Sequence, residues 1–318
     1  MRDEIGTAVF DAMRLLLRDR LNKEQVIVDG LHFFCEVLEQ PHKFQEVYEL
    51  LADEDSKNTL IWLIKFRIAC FILQSKRAAG ELFSPAISPV EWHNMSQKIK
   101  NLPEIILEEN LDVDLIENFL LDGYNLVGIC GVEPNDVVLD LGAFNGNSSI
   151  AFSRPVGAHG KIYAFEPNPI MQDILARNLE KMGCSNVEIV PRGAGDKPDA
   201  LKFKVQGAAS RFTPDGGVDV QVSKVDDFVV ERSLGKVDFI KLDVEGHEMP
   251  ALRGAASTIR TFRPKLAVSV YHLHYDIHAI TLFIRDVCPW YKFYLRHNAT
   301  HDGEIVLFCQ PVRRKNSF

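Results

Sequence analysis

The stretch of the chain richest in potential chemistry is an apolar run that ends in carboxylates. Residues 237–248 read VDFIKLDVEGHE, with Asp243, Glu245, His247 and Glu248 following directly on the apolar positions. A strand that runs into such a cluster gathers negative charge at its carboxyl end, where open α/β sheets hold their ligands. Carboxylates placed there can face a cation, orient a substrate or bind a metal. Lys241, inside the apolar run, is expected to snorkel or to pair with a carboxylate rather than act as a base. A second cluster lies in residues 264–276, PKLAVSVYHLHYD, where His272, His274 and Asp276 alternate after another apolar run. If that segment stays extended, the three share one face. They then offer a base or substrate-orienting role for His272, with a metal triad as the alternative. Glu245, His247, His274 and Asp276 are the candidate substrate contacts.

A third segment, residues 137–146, reads VVLDLGAFNG: a β-rich run, an acidic residue, then a turn with two glycines. Gly142 and Gly146 let the backbone approach a ligand closely while the next helix points its N-terminus at it. The pattern is D-x-G-x-x-x-G and not the G-x-G-x-x-G that cradles a pyrophosphate, and Asp140 would repel phosphate. A phosphate-free nucleoside or amino-acid ligand fits better, and the turn Asp140, Gly142, Ala143, Phe144, Asn145 and Gly146 is its expected contact. Residues 161–168, KIYAFEPN, put Glu166 and Pro167 at the end of the next run, with Glu166 twenty residues past Gly146. That is the spacing of a carboxylate that accepts hydrogen bonds from ribose hydroxyls. Residues 187–196, VEIVPRGAGD, add Gly193 and Ala194 as a flat surface for an adenine ring and Asp196 as acceptor for its amine.

These motifs need a scaffold. From residue 135 onward short β-rich runs alternate with helical ones, the rhythm of a parallel sheet. The runs are 137–141, 161–165, 187–190, 237–242 and 266–270. Two more, 291–295 and 304–308, are joined by a turn-like segment and should form an antiparallel hairpin. The expected architecture is α/β, a Rossmann-like doubly wound sheet of five parallel strands plus a C-terminal hairpin. Upstream, apolar residues recur at helical spacing (Val9, Met13, Leu16 and Leu17, then Val47, Leu50 and Leu51), so residues 1–110 read as a helical N-terminal domain and linker. The linker is expected between Gly80 and Pro103, and one further helix over residues 112–129. Residues 111–318 then form the second domain.

Composition narrows the class. Lys plus Arg number 36 against 44 Asp plus Glu, a net charge of -8, so the chain lacks the cationic face that nucleic acid requires. Its 6 cysteines form no C-x-x-C pair, which argues against structural zinc and a disulfide framework and fits a reducing, cytoplasmic setting. No metal is assigned. The apolar residues 61–73 are interrupted by Lys65 and Arg67, so no membrane span is expected, and the first residues lack a secretory core.

Taken together, these segments resemble the FkbM family of methyltransferases. The likeness rests on FIKLDVEGHEMPALRGAASTI followed by PKLAVSVYH, on VLDLGAFNG and YAFEP, and on YKFYLRH and EIVLF near the end. The stretch LLADEDSKNTLIWLIKFR is similar to the helical N-terminal extension of one subgroup. The resemblance implies a class I methyltransferase sheet, S-adenosyl-L-methionine as cofactor, and Asp140, Gly142, Gly146 and Glu166 at the cofactor. It places Asp243, Glu245 and Gly246 on the family signature. It further implies O-methylation of a sugar, glycan or related small metabolite, with His272 as first and Asp243 as second choice of base. The chain departs from the subgroup at Leu141, Asn145 and Asn147. Rival readings are a nicotinamide-dependent oxidoreductase on the same sheet and a non-catalytic adenosylmethionine-binding protein. The acceptor is the expected partner, and a homodimer is compatible with the sequence.

Overall fold

A computed structural model of the chain describes residues 25–100, 107–108, 112–204, 211–212 and 217–312. Val9, Met13, Leu16, Leu17, Pro103 and the basic tail Arg313, Arg314 and Lys315 lie outside them. In chain order the helices α1 (Gln25–Glu39), α2 (Pro41–Leu50), α3 (Glu54–Leu73), α4 (Lys76–Leu82) and α5 (Pro89–Lys100) come first. Then α6 (Asp112–Leu115) runs into a π-helical turn, Ile116–Leu120. The sheet region follows with β1 (Val137–Leu141), α7 (Asn147–Val156), β2 (Lys161–Phe165), α8 (Pro169–Lys181) and β3 (Val187–Val190). The short strands β4 (Gly193–Ala194), β5 (Asp199–Lys204), β6 (Arg211–Phe212) and β7 (Val218–Ser223) come next. The chain closes with α9 (Val225–Glu231), β8 (Phe239–Leu242), α10 (Glu248–Gly254), α11 (Ala256–Phe262), β9 (Lys265–Ser269), α12 (Asp276–Val287), β10 (Tyr291–His297) and β11 (Ile305–Pro311).

The main sheet has 7 strands in the order β10-β11-β9-β8-β1-β2-β3. Strands β9, β8, β1, β2 and β3 pair in parallel, while β11 is antiparallel to both β9 and β10. This is the doubly wound α/β sheet with a closing hairpin that the run pattern implies. The strand order reverses beside β1, which takes β2 on one side and β8 on the other. Such a switch point opens a crevice at the strands' carboxyl ends. The middle strands are buried on both faces, as helix-covered parallel strands must be, so Phe239–Leu242 is buried throughout. A second sheet, β4-β7-β5-β6, was not legible in the sequence; its strands are short and polar on one face.

Two expectations are corrected. The proline- and glycine-bearing stretch read as a linker holds the end of α4 and all of α5. Pro89 opens α5, where its missing N–H costs nothing, and Ser88 and Glu91 cap each other: the Ser88 N–H donates to Glu91 Oε2 at 2.8 Å and the Glu91 N–H to Ser88 Oγ at 3.2 Å. The single helix expected over residues 112–129 ends at Leu120. Asp122 takes φ 51° and the Gly123 N–H bonds back to the Glu117 carbonyl at 2.8 Å, a left-handed reversal that an Asp-Gly pair readily adopts.

The helical segment shares one apolar core with the sheet: Phe33, Phe44, Val47, Leu60 and Leu63 pack in the same cluster as Leu266, Ile277, Phe293 and Leu295. Polar contacts hold the same junction. The Ala52 N–H donates to the Phe293 carbonyl at 2.8 Å, the Leu295 N–H to Ser56 Oγ at 2.9 Å, and Arg296 pairs with Asp53 at 2.7 Å. Asp53 also caps α3, its Oδ1 accepting the Ser56 N–H at 2.9 Å. These contacts cover β10, an edge strand whose open backbone groups would otherwise invite pairing with another chain. Arg67 of α3 reaches further, donating to the carbonyls of Tyr271 at 3.0 Å and Asp302 at 3.2 Å.

Candidate active site

The turn after β1 is shaped by backbone that only certain residues tolerate. Gly142 has φ 86° and Gly146 φ 98°, and between them Phe144, a non-glycine, is held at φ 50°. The turn delivers the chain into α7, whose first residues Asn147 and Ser148 line a half-open cleft. One wall comes from Gly142, Ala143, Phe144 and Asn145, another from Phe165, Glu166 and Pro167 after β2, a third from Gly193 and Ala194. The far end is acidic: Asp243 and Glu245 after β8 are joined by Asp114, Glu117 and Glu304, with Tyr124 and Tyr271 between them.

Glu166 is buried, and both its oxygens are engaged: Oε2 accepts the Phe144 N–H at 2.9 Å and Oε1 the Asn168 N–H at 2.8 Å. Burial pushes its pKa up to about 7 against the pull of those two N–H groups. The carboxylate thus fixes the shape of the β1 turn as well as facing the cleft. Asp140 does not line the cleft, contrary to the direct contact expected of it. It is fully buried, and its Oδ2 accepts from Ser148 Oγ at 2.7 Å and Ser149 Oγ at 2.6 Å. Its other oxygen faces Lys241 Nζ at 3.2 Å. Lys241 also donates to the Gly142 carbonyl at 2.6 Å, so it pairs with a carboxylate as expected and pins the β1 turn from beneath.

Asp243 accepts the Tyr124 hydroxyl at 2.5 Å through Oδ2. Burial would raise its pKa, yet the charges of His272 and Lys241 hold it below the usual carboxylate value. Glu245, at φ 54°, is pushed up to about 7 by burial and by Asp243. Glu117 is pushed up to about 10 by burial, with Glu304, Asp114 and Asp243 adding to the effect. Tyr271 donates to Glu304 Oε1 at 2.8 Å, and burial with the Asp243 charge pushes Glu304 up to about 7.

His272 stands behind this wall. Its Nε2 faces Asp243 Oδ1 at 3.4 Å and Glu245 Oε2 at 3.6 Å, and its Nδ1 lies 3.0 Å from Glu248 Oε1. Burial alone would favour the neutral ring, but the three carboxylates outweigh it and push the pKa up to about 10. His272 itself does not line the cleft, so a hydroxyl bound there meets Asp243 and Glu245 before it meets the ring. The other candidates do not reach the cleft. The chain leaves the extended form after Ser269, and Asp276 starts α12 with Oδ2 accepting the Leu273 N–H at 2.7 Å, so the alternation of His272, His274 and Asp276 is lost. His274 packs 5.3 Å from the His32 ring, His247 sits against Gly195, and Asp196 is exposed outside the lining.

The residues missed by sequence reasoning are Asp114, Glu117, Tyr124, Tyr271 and Glu304. Tyr271 and Glu304 lie in the family-like strings SVYH and EIVLF, a signal without a role attached. Glu117 and Tyr124 were hidden by the helix read too long.

Sequence comparison agrees with this geometry: the model of the methyltransferase FkbM domain matches residues 140–291, from Asp140 in β1 to Tyr291 in β10. These residues belong to the FkbM methyltransferase family. The chain is 23% identical over 188 residues to the hexuronic acid methyltransferase AglP of Haloferax volcanii, covering 57% of this chain and 73% of that protein. It is 26% identical over 154 residues to the 2-O-methyltransferase NoeI of Sinorhizobium fredii, covering 41% of this chain and 62% of that one. The fold matches a crystal structure of Methyltransferase FkbM from Methylobacillus flagellatus at TM-score 0.62 and 22% identity, over 91% of this chain and 63% of that chain. Among the described residues, no helix is long and apolar enough to cross a membrane.

Proposed function

We propose that the FkbM domain transfers a methyl group from S-adenosyl-L-methionine to a hydroxyl of a sugar, glycan or related small metabolite. The observation that carries this reading is the cleft at the switch point of the sheet, which combines a buried carboxylate, a glycine turn and an acidic far end. The residues present suit the cofactor. Glu166 has lone pairs left for two ribose hydroxyls, Gly193 and Ala194 give a surface flat enough for a purine, and the N-terminal turn of α7 at Ser148 lines the same cleft and suits a carboxylate. The acidic end suits a positive charge.

When bound, the cofactor supplies a sulfonium methyl group whose C–S bond breaks with its electrons on sulfur as the acceptor oxygen bonds carbon and releases its proton. The protein's task is alignment and exclusion of water. Tyr124 fixes Asp243, Glu304 fixes Tyr271, and Lys241 fixes the β1 turn, so the walls are held by buried hydrogen bonds before any ligand arrives. The proton of the hydroxyl departs toward the acidic wall of Asp243, Glu245 and Glu304. AglP and NoeI are named for a hexuronic acid and for 2-O-methylation, which supports an oxygen acceptor on a sugar.

The test is incubation with methyl-labelled S-adenosylmethionine and a panel of neutral sugars, uronic acids and amino sugars. Label recovered in a methyl ether supports the reading. Binding of S-adenosylhomocysteine with no label moved to any acceptor would favour a non-catalytic binder, and label on nitrogen would remove the oxygen acceptor.

A further inference from the structure

We infer that Asp243, Glu245 and His272 form a binding site for one divalent cation on the acidic wall of the cleft. Their donor atoms, Asp243 Oδ1, Glu245 Oε2 and His272 Nε2, lie within 4.8 Å of one another. Nε2 is 3.4 Å from the first oxygen and 3.6 Å from the second. An ion with bonds of about 2.1–2.4 Å places its donors roughly 3.0–3.4 Å apart at right angles and at most about 4.8 Å apart across it. The observed triangle falls in that range.

A second observation points the same way. The His272 side chain is only 10% exposed, and its Nε2 has no hydrogen-bond partner; neither has Asp243 Oδ1. These atoms meet only one another, at ion-pair distance and without a hydrogen bond, and an ion between them would take the place of the Nε2 proton. Behind the ring, Glu248 is fully buried, accepts the Val244 N–H at 2.9 Å and lies 3.0 Å from Nδ1. A carboxylate on one ring nitrogen with the other nitrogen turned toward two further carboxylates is the arrangement that orients histidine ligands in metal sites.

The nearby cation cannot fill the gap, since Lys241 is committed to Asp140 and the Gly142 carbonyl. The alternative triangle of Glu248, His272 and Asp276 is less suited, because Asp276 Oδ2 is engaged by the Leu273 N–H. One imidazole and two carboxylates suit a first-row divalent ion, and the two carboxylate residues line the cleft. A cation there would sit beside the acceptor and ease loss of its hydroxyl proton. That role rests on the methyl-transfer reading above; binding of the ion does not.

The experiment is titration of the full chain with Mn²⁺, followed by loss of the free-ion electron paramagnetic resonance signal, for the wild type, Glu245→Gln and His272→Ala. Melting curves confirm that each variant is folded, and S-adenosylhomocysteine binding is measured in parallel. One Mn²⁺ per chain is expected, with affinity weakened by about tenfold or more in each folded variant. No Mn²⁺ bound at about 1 mM, or binding unchanged in Glu245→Gln and His272→Ala, would overturn the site. Intact Mn²⁺ binding with no binding of S-adenosylhomocysteine would instead overturn the methyl-transfer reading and leave the ion site standing.

Discussion

A Cβ atom on Gly142 would stand 1.8 Å from the carbonyl oxygen of Asp243. The turn after β1 and the loop after β8 therefore touch backbone to backbone, and the two halves of the cleft are built as one piece. Gly142→Ala must push these loops apart and also hold alanine at φ 86°. A loss of roughly 3 kcal/mol, or a melting temperature lower by roughly 6 °C or more, is expected. Unchanged melting in the alanine variant would show that the loops are not in contact.

Glu166 ties cofactor affinity to pH. Its pKa is raised to about 7, so the folded chain binds its proton over a window, above the usual 4.5, where the unfolded chain has lost it. Ribose hydroxyls donate to the ionised form. Affinity for S-adenosylhomocysteine should be full above pH 7 and weaken about tenfold per unit as pH falls below it. Glu166→Gln, which turns an amide toward the N–H groups of Phe144 and Asn168, should weaken binding and flatten this profile. Calorimetric titrations at pH 5.5, 6.5 and 8 check both.

Lys241 and Asp140 are buried together at 3.2 Å. Removing one partner leaves the other charge without compensation, so Lys241→Met should cost about 3–5 kcal/mol. Lys241→Met with Asp140→Asn should recover part of that loss. Chemical denaturation of the two single variants and the double variant measures the coupling, and strictly additive losses would contradict it.

The helices and the sheet edge are latched through Asp53, which caps α3 and pairs with Arg296. Burial works against its charge, but Arg296 and Ser56 bring its pKa down to about 2. A carboxylate with a depressed folded pKa stabilises the fold above its unfolded value of 3.8 and loses that contribution as pH falls toward 2. Asp53→Ala should cost about 1–2 kcal/mol at pH 7 and much less at pH 2. Equal losses at both pH values would contradict the latch.

Much of the scaffold was legible because its signals are local. The runs around Val137, Lys161, Phe239 and Leu266 are short, apolar and separated by helical spacing, so the sheet could be written from them. Gly142 and Glu166 were legible because the turn and the strand end each demand a residue type. What the sequence hid depends on contacts between distant segments. Nothing near Glu117 or Tyr124 announces that they meet Asp243, and the Asp-Gly reversal that brings Tyr124 there looked like the middle of a helix. His272 looked like a base because its three carboxylate neighbours come from another loop. Asp140 looked like a ligand contact because the serines that consume it lie in the next helix.

The central claim is that the cleft between the turns after β1 and β2 holds an adenosyl cofactor by its sugar. A crystal structure of the chain with S-adenosylhomocysteine tests it most directly. Both ribose hydroxyls are expected within hydrogen-bonding distance of Glu166, with the purine against Gly193 and Ala194. A nucleoside bound elsewhere, or one in the cleft whose ribose does not touch Glu166, would contradict it.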